Sequence, residues 1–67
     1  MDLPLSKSQS RLRGRKIVDM SVEQLQDWIA ACRQMEEWKH TPAKARHDWK
    51  VSGSEAMTEL ERRQKSE

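Results

Sequence analysis

The sequence predicts an all-α fold: an antiparallel helical hairpin that carries a flexible basic N-terminal arm and associates with a second copy of itself. Three observations predict it. Residues 20–39, MSVEQLQDWIAACRQMEEWK, keep their apolar side chains on one face at the helical period, and residues 42–64 do the same around Trp49. Residues 6–16, SKSQSRLRGRK, hold five basic side chains and no acidic one, a bias that suits a solvated segment.

The arm comes first. Residues 1–16 contain Pro4, Gly14 and three serines, and Leu3, Leu5 and Leu12 recur at no helical spacing. Ile17 and Val18 form a short apolar step that tacks the arm's end to a core. The chain thus divides into an arm over 1–16 and a hairpin domain over 17–67.

The first helix is predicted over about 22–39. Ser21 and Gln24 have the spacing of a capping box, and Met20 and Leu25 fit the hydrophobic staple across it. At about 100° per residue, Leu25, Ile29, Cys32, Met35 and Val22 share with Trp28 one face about 140° wide, with Trp38 at its edge. Glu23, Gln26, Asp27, Gln34 and Glu37 lie opposite.

HTPAK restarts the pattern, with Thr41 as N-cap and Pro42 at the first helical position. So short a connection turns one helix back on the other. The second helix is predicted over about 42–64, and VSGS at 51–54 strains it, because propensity would end a helix at Gly53 and let Ser54 cap another. Phase favours one helix, bent or frayed near Gly53. Ala45, Ala56, Met57, Leu60 and the bare Cα of Gly53 share a face with Trp49 about 120° wide. Gly53 and Ala56 mark where another helix comes close.

Sixty-seven residues make one small domain, which buries only about 60% of its unfolded surface. Cys32 is the single cysteine, so no disulfide within the chain can help. The apolar arc of the first helix is wider than one partner helix covers, so a homodimer forming a four-helix bundle is expected. The expected packing and interface residues are Leu25, Trp28, Ile29, Cys32, Met35 and Trp38 on the first helix, and Trp49, Gly53, Ala56, Met57 and Leu60 on the second. Cys32 reads as a small buried hydrophobe, with an intermolecular disulfide as the alternative. The three tryptophans read as core or self-association, with a base-stacking platform as the alternative.

No apolar run approaches the roughly 18 residues of a membrane span, and no secretory signal opens the chain, so a cytoplasmic protein without membrane contact is expected. His40, His47, Asp48 and Cys32 lack zinc-site spacing, so neither metal nor cofactor is expected. No Gly-rich phosphate loop and no nucleophile with a base is present, and Glu36 and Glu37 diverge by about 100° on a helix. The chain reads as no enzyme, with no small-molecule substrate.

The net charge of +2 is uneven. Residues 1–19 set five Lys/Arg against Asp2 and Asp19, a net +3, and the remaining eight against nine leave −1. Two functional readings follow. The first is a regulatory module that binds protein, as a dimer or on a larger partner, through the hairpin. The second is a small DNA-binding regulator in which Lys7, Arg11, Arg13, Arg15 and Lys16 neutralise phosphates. A basic segment followed by helix, turn and helix resembles the outline of the ribbon-helix-helix repressors, which implies paired N-terminal strands with Arg11, Arg13 and Arg15 on one face and Leu12 inward. The resemblance covers outline and not motif: Gly14 sits mid-strand, Lys16 breaks the inward alternation, and HTPAK replaces a Gly followed by Ser/Thr turn.

Overall fold

The capping box at Ser21 and the phase of the apolar residues place the two long helices of the fold. The structure, a computed structural model, describes residues 4–65. Over them run a short helix α1 (Lys7–Arg11), a 3-10 turn η1 (Ile17–Asp19), helix α2 (Val22–Glu37) and helix α3 (Ala43–Lys65). α2 and α3 pack on each other as the helical hairpin.

α2 begins as expected. The Gln24 N–H donates to Ser21 Oγ at 3.1 Å and the Ser21 N–H donates to Gln24 Oε1 at 2.9 Å, which closes the capping box. Met20 and Leu25, the staple pair, are buried in one cluster. The helix ends at Glu37 rather than at residue 39, because Trp38 swings to extended angles (φ −68°, ψ 124°) to reverse the chain, its N–H still bonded to the Gln34 carbonyl.

α3 starts one residue later than expected. Its first bond runs from the Arg46 N–H to the Pro42 carbonyl at 2.8 Å, so Pro42 and not Thr41 occupies the capping position. A cap residue must supply a carbonyl and needs no N–H, which proline satisfies. Thr41 is buried instead, 5% exposed, and its carbonyl accepts from the Arg46 guanidinium at 3.1 Å. Through Val51–Ser54 the helix is unbroken. Glycine in a helix interior costs about 1 kcal/mol against alanine, and here packing outweighs that. Gly53 is buried, and a Cβ built on it would lie 3.1 Å from Cys32 Cβ, so the bare Cα is where α3 comes up against α2.

The largest departure from expectation is at the N-terminus. Residues 4–16 do not stand off as an arm; they fold back on the hairpin, and residues 1–3 of the expected arm lie outside the described residues. A second capping box starts α1: the Gln9 N–H donates to Ser6 Oγ at 3.2 Å and the Ser6 N–H donates to Gln9 Oε1 at 2.9 Å. Five residues are far too few for a helix to persist alone, so tertiary contact must hold it. Leu12, only 4% exposed, supplies that contact by entering the cluster of Met20, Leu25, Trp28, Ala31, Cys32 and Ala56, with Leu5 and Ile17 at its edge. The apolar arc of α2 that predicted a second copy is therefore covered in part from within the same chain. Residues 11–15, which the repressor outline would place in a strand, form the end of α1 and a turn, and no strand occurs among the described residues.

α3 outruns α2, and its last turns receive η1. Arg63 donates to the Val18 carbonyl at 3.1 Å and to the Met20 carbonyl, while its Nε bonds Glu59 at 2.8 Å. One planar guanidinium thus ties the end of the N-terminal segment to the hairpin.

Cys32 is fully buried beside Gly53, and burial, with the Glu36 carboxylate adding to it, pushes its thiol from 9.0 up to about 12. The folded chain therefore keeps the thiol proton over a range where the unfolded chain has lost it. This contribution is whole below pH 9 and is lost as pH rises towards 12. Urea midpoints should show the protein losing about 1 kcal/mol more between pH 8 and pH 10 than its Cys32→Ala variant. Parallel pH curves would contradict the buried, neutral thiol.

Candidate nucleic-acid interface

The turn that follows α1 organises the basic residues. Leu12 points into the core, so its neighbours in RLRGRK are turned outward: Arg11, Arg13, Arg15 and Lys16 are all exposed, as is Lys7 on α1. Gly14 makes the turn. Its φ of 82° is a conformation that side-chain-bearing residues resist, and there the Arg15 N–H reaches back to the Leu12 carbonyl at 3.1 Å. Among the described residues, none of Lys7, Arg11, Arg15 and Lys16 forms an ion pair.

Two clefts flank this turn. On one side Arg13 and Gly14 meet Trp28, Asp48, Trp49 and Ser52 around a space of about 230 Å³. The Arg13 guanidinium lies over the Trp49 ring, 6.0 Å from its centroid, and Trp49 in turn packs on Trp28 at 5.4 Å with the planes tilted by 51°. On the other side Arg11 and Arg15 face Ser8, Gln24 and Asp27 around about 310 Å³. The Gln9 side chain holds α1 in place there, donating to the Asp27 carbonyl at 3.4 Å. The surface presents five exposed cations on a folded backbone segment beside one half-buried indole, with Asp27 and Asp48 as the carboxylates lining its clefts.

The residues expected to pack divide as follows. Leu25, Trp28, Cys32, Met35, Gly53 and Ala56 are buried; Ile29, Trp38, Trp49 and Leu60 are half-buried; Met57 is 42% exposed. Trp38 lies edge-on to His40 at 5.1 Å, at the hairpin's closed end. Ala31 joins the core without having been singled out, Leu12 joins it from a segment expected to be mobile, and Gln9 and Arg63 hold the N-terminal segment and the η1 turn after it through bonds that span 18 to 45 residues. Only the Ser6 to Gln9 capping spacing announced any of this locally. It has the same S-x-x-Q form as the one that starts α2.

A third cleft opens where α2 and α3 meet, between Ile29, Cys32, Arg33, Lys50, Gly53 and Met57, with about 240 Å³ of space. No group of three or more His, Cys, Asp or Glu placed to hold a metal occurs among the described residues, and no helix of the structure is long and apolar enough to cross a membrane. No protein-family model, curated protein or solved structure matches this chain.

Proposed function

We propose that this protein is a small, non-enzymatic nucleic-acid-binding module whose working surface is the folded basic segment 7–16. One observation carries the reading: five exposed cations sit on a segment that the core anchors through Leu12, and none of the five has an ion pair among the described residues. A basic tail pays ordering entropy when it binds, whereas a segment already fixed on the body avoids most of that cost. Each cation that neutralises a phosphate releases counterion, so the affinity is electrostatic, blind to sequence and steeply salt-dependent.

The test is fluorescence anisotropy with a labelled mixed-sequence DNA of about 12 nucleotides, as a single strand and as a duplex. Five phosphate contacts weaken binding roughly a hundredfold or more between about 50 and 200 mM salt. Replacing Arg11 and Arg15 by Gln should flatten the log–log salt slope by about 1.4 on the single strand. Failure of both DNA forms to bind at 50 mM salt, or binding indifferent to salt, would refute the reading.

A second reading keeps the hairpin as a protein-binding surface, a homodimer or a larger partner. The α2–α3 cleft favours it, because among the described residues Ile29 stays only half-buried and Met57 42% exposed there. If a second copy occupies that cleft, the melting temperature rises with protein concentration; an unchanged midpoint over a hundredfold range removes the dimer.

A further inference from the structure

We propose that the cleft between Arg13 and Trp49 takes one unpaired nucleobase, so that this protein prefers single-stranded to duplex nucleic acid. The inference rests on the nucleic-acid reading and goes beyond it by naming the form of the ligand and the residue that selects it.

Three features of the cleft point to a base. The first is the indole. Trp49 is half-buried, backed by Trp28 on the core side, and its outer contact is the Arg13 guanidinium at 6.0 Å. That distance is the outer limit for a cation–π contact, and Arg13 is an exposed side chain, so a planar ring can stack there in its place or beside it. Aromatic rings and arginine planes are the two surfaces on which unpaired bases stack.

The second feature is size. About 230 Å³ of space open to solvent is the liquid volume of roughly eight waters, room to seat a single base ring. The third is charge. Asp48 stands in the wall beside Ser52 and offsets Arg13, so this cleft draws a phosphate less than the Arg11 and Arg15 side, where two cations face Asp27, while it offers hydrogen-bond acceptors and a hydroxyl to the polar edge of a base. The backbone is drawn to the other side of the turn, where Arg11 and Arg15 lie, with Lys16 following them in the chain. The Leu12–Gly14 turn separates the two tasks, base on one flank and phosphates on the other.

In a duplex the faces of the bases are already covered by their neighbours, and exposing one requires unstacking it. A single strand offers its bases freely. The aromatic contact therefore adds affinity only for the single strand, while the cations serve both forms.

The test uses the same labelled DNA of about 12 nucleotides at about 100 mM salt, on the full chain. The single strand should bind roughly tenfold more tightly than the duplex, and Trp49→Leu should remove that advantage while leaving duplex binding and the salt slope unchanged. A companion measurement needs no variant: the indole N–H resonance of Trp49 should move on adding the single strand and stay in place on adding the duplex. Equal binding of the two forms, an equal loss of both in Trp49→Leu, or a motionless Trp49 resonance on saturation with single strand would overturn the inference while leaving the electrostatic reading intact. Absence of binding by either form would overturn the nucleic-acid reading and the inference together.

Discussion

Deleting residues 1–15 should destabilise this protein by about 3 kcal/mol or more, a large share of its whole stability. The segment contributes Leu12, whose buried side chain belongs to the core cluster with Leu25, Trp28 and Cys32, together with the partly buried Leu5 and the buried Gln9. Truncating one buried leucine to alanine costs about 2–5 kcal/mol, and removal of the whole segment also bares the Trp28 and Trp49 side of the hairpin. The whole stability of a chain this size is about 3–10 kcal/mol at typical values per residue. Leu12→Ala alone should reproduce most of the loss, which separates packing from charge, since it leaves all five cations in place. Urea unfolding followed by circular dichroism reads both variants. A truncated chain with an unchanged midpoint would mean that the segment does not pack on the body at all.

Gly53→Leu is the second large effect. The 3.1 Å between an added Cβ and Cys32 Cβ is already tighter than ordinary contact, before any of the leucine branch is placed. The obstacle is the root of a side chain on a packed helix, which cannot swing aside, so α2 and α3 must separate. Overpacking of this kind costs about 1–3 kcal/mol and more where backbone has to move; a loss of about 3 kcal/mol is expected. Gly53→Ala is the informative companion, because its gain in helix propensity of about 1 kcal/mol opposes the same contact and should leave stability nearly unchanged. Thermal melts of the two variants check this. A Gly53→Leu protein as stable as the parent would show that the helices do not meet at this point.

How much of this was legible in the sequence depends on whether the signal was local. The Ser21–Gln24 capping box, the α2 face around Trp28 and the meaning of Gly53 could all be read, because each is written in residues within a turn or two of one another. Phase predicted correctly against propensity at Gly53, since a bare Cα on an otherwise regular face is what a close helix contact requires. The fate of the basic segment was harder to read. Its capping box was present in Ser6 and Gln9, yet a five-residue helix has no apolar period of its own, and serine and arginine content pointed to a solvated tail. What folds it lies far away: Leu12 in a core built from α2 and α3, Arg13 on Trp49, and Arg63 on the carbonyls of Val18 and Met20. The wide apolar arc of α2 was read correctly as needing cover, and a second copy was expected to supply it; Leu12 and Met20 of the same chain supply a share.

The candidate surface shows the same division. All five cations were identifiable by composition, and Trp49 by its position on a helix face. Their proximity was not, because Arg13 and Trp49 are brought together by the turn at Gly14, whose positive φ only the folded chain reveals.

Segment 7–16 is a folded part of the body before any ligand arrives, anchored through Leu12 and Gln9. Backbone 15N relaxation of the free protein tests it most directly. Order parameters for Lys7–Lys16 close to the value of about 0.85 found in rigid backbone, matching α2, are the predicted result; values below about 0.6 over that stretch, with α2 rigid, would contradict it.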